Sequence, residues 1–384
     1  MHYLKLIFKN AFRHKLRTLL TLTGLAIAVL AFGLLQTVVD AWYAGAAAAS
    51  NARLVTRNSI SLTFLLPLAY ESRIRSLEGV TQVGRANWFG GIYKEPRNFF
   101  AQFAISDNYL DLYPEFVLDD AQREAWRRDR KACVVGRQLA DQFGFRIGDV
   151  IPIKGTIYPG TWEFTVRGIF EGSDSGKVTR QLFFHWEYLN ESLRRLTPRR
   201  ADSTGVYIVG IRDPNSAAAM SVNIDGLFRN SLAETLTETE QAFQLGFVAM
   251  SSQIVAAIKL VSYVVILIIM AVMANTMAMS ARERTSEYAT LKALGFGPGF
   301  IALLIVGESL AICALGGGIG VLLTQPAAIG FKKVVSNLFP VFSVSRQTLA
   351  LQVLCALTVA LFAAVIPAIR SARVRIVEGL RAIG

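Results

Sequence analysis

Residues 19–39 read LLTLTGLAIAVLAFGLLQTVV, 21 positions without a charged side chain. A helix of about 20 such residues spans a hydrocarbon core of about 30 Å. Three more apolar runs follow, at about 254–281, 300–323 and 349–369, the last carrying Pro367 near its end. The chain therefore reads as a membrane α-helical protein with four transmembrane helices. Residues 44–245 differ in character, with Pro, Gly, charges and short alternating segments. That pattern predicts a folded α+β domain inserted between helices 1 and 2. This domain explains why hydrophobic residues reach only 53% of the 384, little above the usual soluble share of about 45–50%.

The formal net charge is +12, and its placement decides its meaning. Lys5, Lys9, Arg13, Lys15 and Arg17 precede the first run, and Arg370, Arg373, Arg375 and Arg381 follow the last. Cations flanking spans set orientation by the positive-inside rule. No aromatic stacking platform lies among them, so nucleic acid is excluded as a partner. With both termini inside, the large domain and the loop holding Lys332 and Lys333 fall outside. The segment before the first run is amphipathic, with Leu4, Ile7, Phe8, Phe12 and Leu16 near helical spacing, and suits the membrane interface. The first run exceeds the about 7–15 apolar residues of a cleaved signal, so it is expected to stay.

The predicted order is a cytoplasmic amphipathic helix over 1–17, helix 1 over 18–43, and the outer domain over 44–245. Helix 2 covers 246–281, a cytoplasmic loop 282–298 and helix 3 299–325. An outer loop over 326–345, helix 4 over 346–369 and a tail over 370–384 complete the chain. Within the domain, 132–135, 162–169 and 205–211 read as strands, and 190–196 and 214–240 as helical.

Little in the sequence suggests catalysis. The nearest phosphate-loop look-alike, residues 172–178, has Glu171 where the first Gly belongs and Val178 where a hydroxyl should hold Mg²⁺. It is expected to be a Gly-rich turn. His2, His14 and His185 are the only histidines, none paired at metal-ligand spacing, so no metal is expected and His185 reads as a packed residue. Neither GxSxG nor HExxH occurs. Cys133 stands alone outside the runs, with Cys313 and Cys355 inside them, so there is no disulfide framework.

Three features call for a role. Glu308 is a carboxylate inside the third run, where charge is costly and faces protein or water; a structural hydrogen bond is expected, with gating as the alternative. Gly316, Gly317, Gly318 and Gly320 form a small-residue cluster that lets helices, or two copies of the chain, approach closely. Residues 288–295, YATLKALG, predict a short amphipathic helix closed by Gly295. Such a helix beside the membrane suits docking, or is an ordinary polar loop.

These residues resemble the MacB/FtsX/LolC-LolE superfamily of ABC transporter permeases. The likeness lies in NAFRHKLRTLLTLTG at 10–24, NTMAMSARERTSEYATLKALG at 275–295 with Glu308, Ser309 and the glycine cluster, and PAIRSARVRIVEGLR at 367–381. Residues 133–140, 143–149 and 164–169 carry it into the domain. The resemblance implies a dimeric bacterial inner-membrane permease whose ATPase is another chain, because no Walker A motif is present here; ATP and Mg²⁺ belong to that separate ATP-binding subunit. It implies Arg284, Glu287, Leu291, Lys292 and Leu294 as contacts with that subunit. A second permease copy, membrane lipids, a periplasmic membrane-fusion adaptor and an outer-membrane channel are the further partners implied, in a mechanotransmission exporter. Extraction of lipid or lipoprotein, and activation of a periplasmic hydrolase, are the alternatives.

Overall fold

The structure, a computed structural model, describes residues 7, 10–47, 49–173, 179–335 and 342–374. Residues 1–6, 8 and 9 of the expected amphipathic helix, the Gly-rich turn at 174–178, the loop at 336–341 and the tail beyond 374 lie outside the described residues. The chain divides into two compact units, residues 1–42 with 251–384, and residues 43–250.

In chain order the elements are α1 (Lys15–Ala47), β1 (Arg53–Asn58), β2 (Leu66–Pro67), α2 (Tyr70–Arg75), β3 (Val80–Trp88), β4 (Ala101–Ile105), α3 (Tyr109–Leu112) and β5 (Phe116–Val117). Then come α4 (Asp120–Arg128), β6 (Ala132–Gly136), α5 (Arg137–Phe143), β7 (Val150–Gly155), β8 (Gly160–Gly172), β9 (Gln181–His185) and α6 (Trp186–Leu196). They are followed by β10 (Ser203–Thr204), β11 (Val206–Ile211), α7 (Ala217–Leu227), β12 (Thr235–Thr239) and α8 (Glu240–Met250). The last four are α9 (Ser252–Glu283), α10 (Thr285–Ala293), α11 (Pro298–Val335) and α12 (Arg346–Ala372).

Helices α1, α9, α11 and α12 are long and apolar enough to cross a membrane. Without a hydrophobic drive between helices in lipid, close packing and hydrogen bonds must hold them. The sequence supplies both. Ala356, Ala360, Ala363, Ala364 and Ala368 give α12 a buried small-residue face. Ser309 donates to the Ala360 carbonyl at 2.7 Å. Fully buried Gln352 donates from Nε2 to the Val29 carbonyl at 2.8 Å and to Thr324 at 2.7 Å. At one end of the bundle Asp40 accepts from Ser345 at 2.9 Å and Thr348 at 2.6 Å. The outer loop expected from 326 begins later, because α11 continues through Pro326 to Val335. A proline in a long apolar helix is tolerated where neighbouring groups satisfy the freed carbonyl. The expected start of helix 2 at 246 falls inside α8, and the long apolar helix begins at Ser252.

The 43–250 unit is built on a mixed sheet of order β12-β1-β11-β3-β4-β9-β6-β8-β5, with β7 also on β8. Strand side chains alternate between faces, and β9 shows why its aromatic run is wholly buried. Phe184 joins Phe89 and Phe164 on one face, while Phe183 joins Phe170 and Phe116 on the other. Cys133 lies in this core, fully buried, and burial raises its thiol pKa well above the ordinary value. A protonated buried thiol is inert. The helix expected over 214–240 is shorter. It ends at Leu227, Asn230 takes a positive φ of 63°, and Thr235–Thr239 forms a strand beside β1. The alternating threonines explain the strand, since Thr56 and Thr237 bond across the pair at 2.9 Å. Arg53 pins the two ends of the unit together, bonding Glu240 at 2.7 Å while stacking over Tyr113.

Candidate functional site

The segment between α9 and α11 is organised by one buried cation. Arg284, at the C-cap of α9, donates Nη1 to Glu308 Oε2 at 2.7 Å and Nη2 to the Asn10 carbonyl at 2.6 Å. Both side chains of the pair are almost fully buried. Glu308 therefore has the structural partner expected of it, and Arg284 ties three separate stretches of chain together. Arg284, expected among the contacts with the ATP-binding subunit, thus has both ends of its guanidinium engaged within the chain.

The neighbouring charges form a rim. Arg17 holds Glu283 through two bonds of 2.8 and 2.7 Å, and exposed Glu287 pairs with Arg13. A small polar cleft beside them is lined by His14, Thr21, Thr276, Ser280 and Arg284 among others. Tyr288 lies on the buried face of α10, and desolvation pushes its phenol up to about 12.

Helix α10 ends as its sequence requires. Gly295 has φ +94°, which favours glycine. Its N–H donates to the Lys292 carbonyl and that of Phe296 to the Leu291 carbonyl, both at 3.0 Å. This is the Schellman closure. Lys292 is used within the chain, since its ammonium donates at 2.7 Å to the carbonyls of both Ala372 and Val374 at the end of α12. A cation there satisfies open carbonyls and the helix dipole. Leu291 packs partly against the bundle core. Leu294 is 71% exposed and Phe296 40% exposed. Of the five expected contacts, Glu287 and Leu294 thus point outward, while Arg284, Leu291 and Lys292 anchor the helix. Phe296, just after the capping glycine, stacks on Phe300 at 4.8 Å while leaving part of its ring exposed beside Leu294.

The glycine cluster resolves residue by residue. A Cβ on Gly316 would lie 3.0 Å from the Leu22 carbonyl, and one on Gly320 2.7 Å from that of Ala26. Four residues apart on α11, these two admit α1 at backbone distance. Gly317 faces Ala356 of α12, where a Cβ would sit 2.7 Å away. Gly318 meets nothing within 4 Å among the described residues, so it has no packing partner there. His185 is buried and stacked on Trp126 at 4.2 Å, as a packed histidine should be.

Residues 18–227 match the MacB-like periplasmic core domain, and residues 259–376 match the FtsX-like permease C-terminal domain. No curated protein matches the chain. Among solved structures, the periplasmic region of MacB from Actinobacillus actinomycetemcomitans is 8% identical with a TM-score of 0.37, covering 52% of this chain and 94% of that one. The extracellular domain of the ABC-type transporter YknZ from Gram-positive bacteria is 11% identical with a TM-score of 0.36, covering 49% of this chain and 100% of that one. The assignment rests on the two domain matches, which between them take in both units. Permeases of this kind work with ABC ATPase partners. The protein is thus a multi-pass membrane protein with an extracytoplasmic domain, and it belongs to the MacB/FtsX-type ABC permeases.

Proposed function

We propose that the chain is the permease subunit of a mechanotransmission ABC exporter, driven by a separate ATP-binding subunit and working as a dimer in a bacterial inner membrane. ATP and Mg²⁺ are bound by that subunit, and α10 is the element it grips. The observation that carries this reading is the construction of α10. Its outer end presents Leu294 and Phe296, while Arg284 and Lys292 fasten it to α11 and α12. A tip that takes up force and a root joined to two apolar helices suit a coupled two-state element. Movement reaches residues 43–250 through the two covalent connections of that unit. A periplasmic adaptor and an outer-membrane channel complete the export path.

The test is purification of the tagged chain from native membranes, with identification of what accompanies it. An ATP-binding subunit with a membrane-fusion adaptor supports the exporter. An ATP-binding subunit with a periplasmic hydrolase or a lipid-carrier protein moves the role to hydrolase activation or lipid extraction. Absence of any ATP-binding subunit overturns the reading.

A further inference from the structure

We propose that Asp107, His185 and Glu187 form a binding site for a divalent transition-metal ion in the 43–250 unit. Strands β4 and β9 run parallel with Ile105 opposite His185. Asp107 lies two residues past Ile105, and Glu187 two residues past His185, so the topology delivers three ligating side chains to one end of this strand pair. One ligand atom from each lies within 4.8 Å of the others.

The histidine is the informative member. Its Nε2 lies 2.8 Å from the Trp126 carbonyl, and its Nδ1 lies 3.0 Å from Asp107 Oδ1. Both ring nitrogens therefore face acceptors. A neutral imidazole has one N–H, and a backbone carbonyl claims it at Nε2. The Nδ1 lone pair then points at a carboxylate, which is repulsive unless a cation stands between them. A proton on Nδ1 meets that need, and so does a metal ion. Two ligands held at about 2.1 Å from one ion at the right angle of an octahedral site lie about 3 Å apart, which matches the Nδ1–Oδ1 spacing, whereas a tetrahedral Zn²⁺ would open that spacing to about 3.4 Å. A metal-bound histidine whose other nitrogen donates to a backbone carbonyl is the usual second-shell arrangement.

A second observation points the same way. Among the described residues, Glu187 Oε2 is a buried acceptor without a hydrogen-bond partner, while Arg85 bonds Glu187 Oε1 at 3.1 Å. Glu187 thus keeps one oxygen uncommitted for a metal, while Arg85 holds the other. Asp107 is 65% exposed and provides the entry side. One imidazole and two carboxylates suit zinc or manganese better than a soft, thiolate-seeking ion.

The test uses the full-length chain in detergent, without a polyhistidine tag and stripped with a chelator. Zn²⁺ is titrated calorimetrically, and Co²⁺ is followed by its visible absorption. The expected result is one Zn²⁺ per chain, with binding weakened about 10-fold or more in Asp107→Asn and Glu187→Gln and lost in His185→Asn. His14→Ala must leave binding unchanged, since His14 near Glu283 is the other described histidine beside a carboxylate. No binding by the unaltered chain overturns the proposal, as does binding that survives Asp107→Asn or disappears in His14→Ala. If His185→Asn fails to fold, the exposed Asp107→Asn variant decides.

Discussion

Arg284 and Glu308 form an almost fully buried ion pair 2.7 Å long that joins the end of α9 to α11. Removing one partner of such a pair leaves an uncompensated buried charge, at a cost of about 3–5 kcal/mol. Arg284→Ala should therefore lower the melting temperature of the detergent-solubilised chain markedly. An Arg284→Met, Glu308→Leu double variant should recover much of that loss, because apolar residues of similar volume can replace a buried pair. Equal melting of Arg284→Ala and the unaltered chain would show that water reaches the pair.

Gly320 and Gly318 sit two residues apart and should behave oppositely. A methyl group at Gly320 meets the Ala26 carbonyl at 2.7 Å and Val29 Cβ at 2.9 Å, so α1 must move away from α11. Overpacking of this kind costs about 1–3 kcal/mol. At Gly318 nothing intervenes, and alanine gains up to about 1 kcal/mol of helix propensity. Thermal melting of Gly320→Ala and Gly318→Ala in detergent separates them. A destabilised Gly318→Ala would assign that position to a contact beyond the described residues.

The exposed tip of α10 allows function to be separated from folding. Leu294→Asp touches no buried contact of the described bundle core, so melting should change by less than about 0.5 kcal/mol, whereas Phe296→Asp also gives up its stack on Phe300 at 4.8 Å and should cost somewhat more. Recovery of the ATP-binding subunit with the purified chain should nevertheless fall about 10-fold, equivalent to about 1.4 kcal/mol of binding. Undiminished recovery in both variants would remove this tip from the interface.

Much of the architecture was legible because membrane spans and strands leave periodic or uninterrupted signals. The charge-free run at 19–39 and the alternation of 162–169 are examples, and Gly295 announces its own C-cap. The pairings were not legible. Arg284 and Glu287 look alike in sequence, yet one is buried against Glu308 and the other exposed beside Arg13. Side-chain direction around a short helix depends on where its neighbours lie. The same holds for His185, read in isolation because Asp107 stands 78 residues away. Only the parallel pairing of β4 with β9 brings them together.

Asp107 and Glu187 have opposite shifts, which predicts the pH profile of the metal-free chain. The hydrogen bond to His185 is the main cause that holds Asp107 below its usual range. Its contribution to stability is present above about pH 3.9, the unfolded value, and disappears as pH falls through the lower folded value. Burial is the main cause that raises Glu187. The folded form then holds its proton more tightly than the unfolded chain, so stability declines as pH rises from about 4.3, the unfolded value, through the higher folded value. Glu187→Gln should flatten this mildly acidic decline, and Asp107→Asn should remove its share of the acid loss below it. Melting followed by tryptophan fluorescence across the acid range, with Trp126 stacked on His185 as a local reporter, reads both effects. An unchanged profile in Glu187→Gln would mean that its carboxylate is solvated in the folded chain.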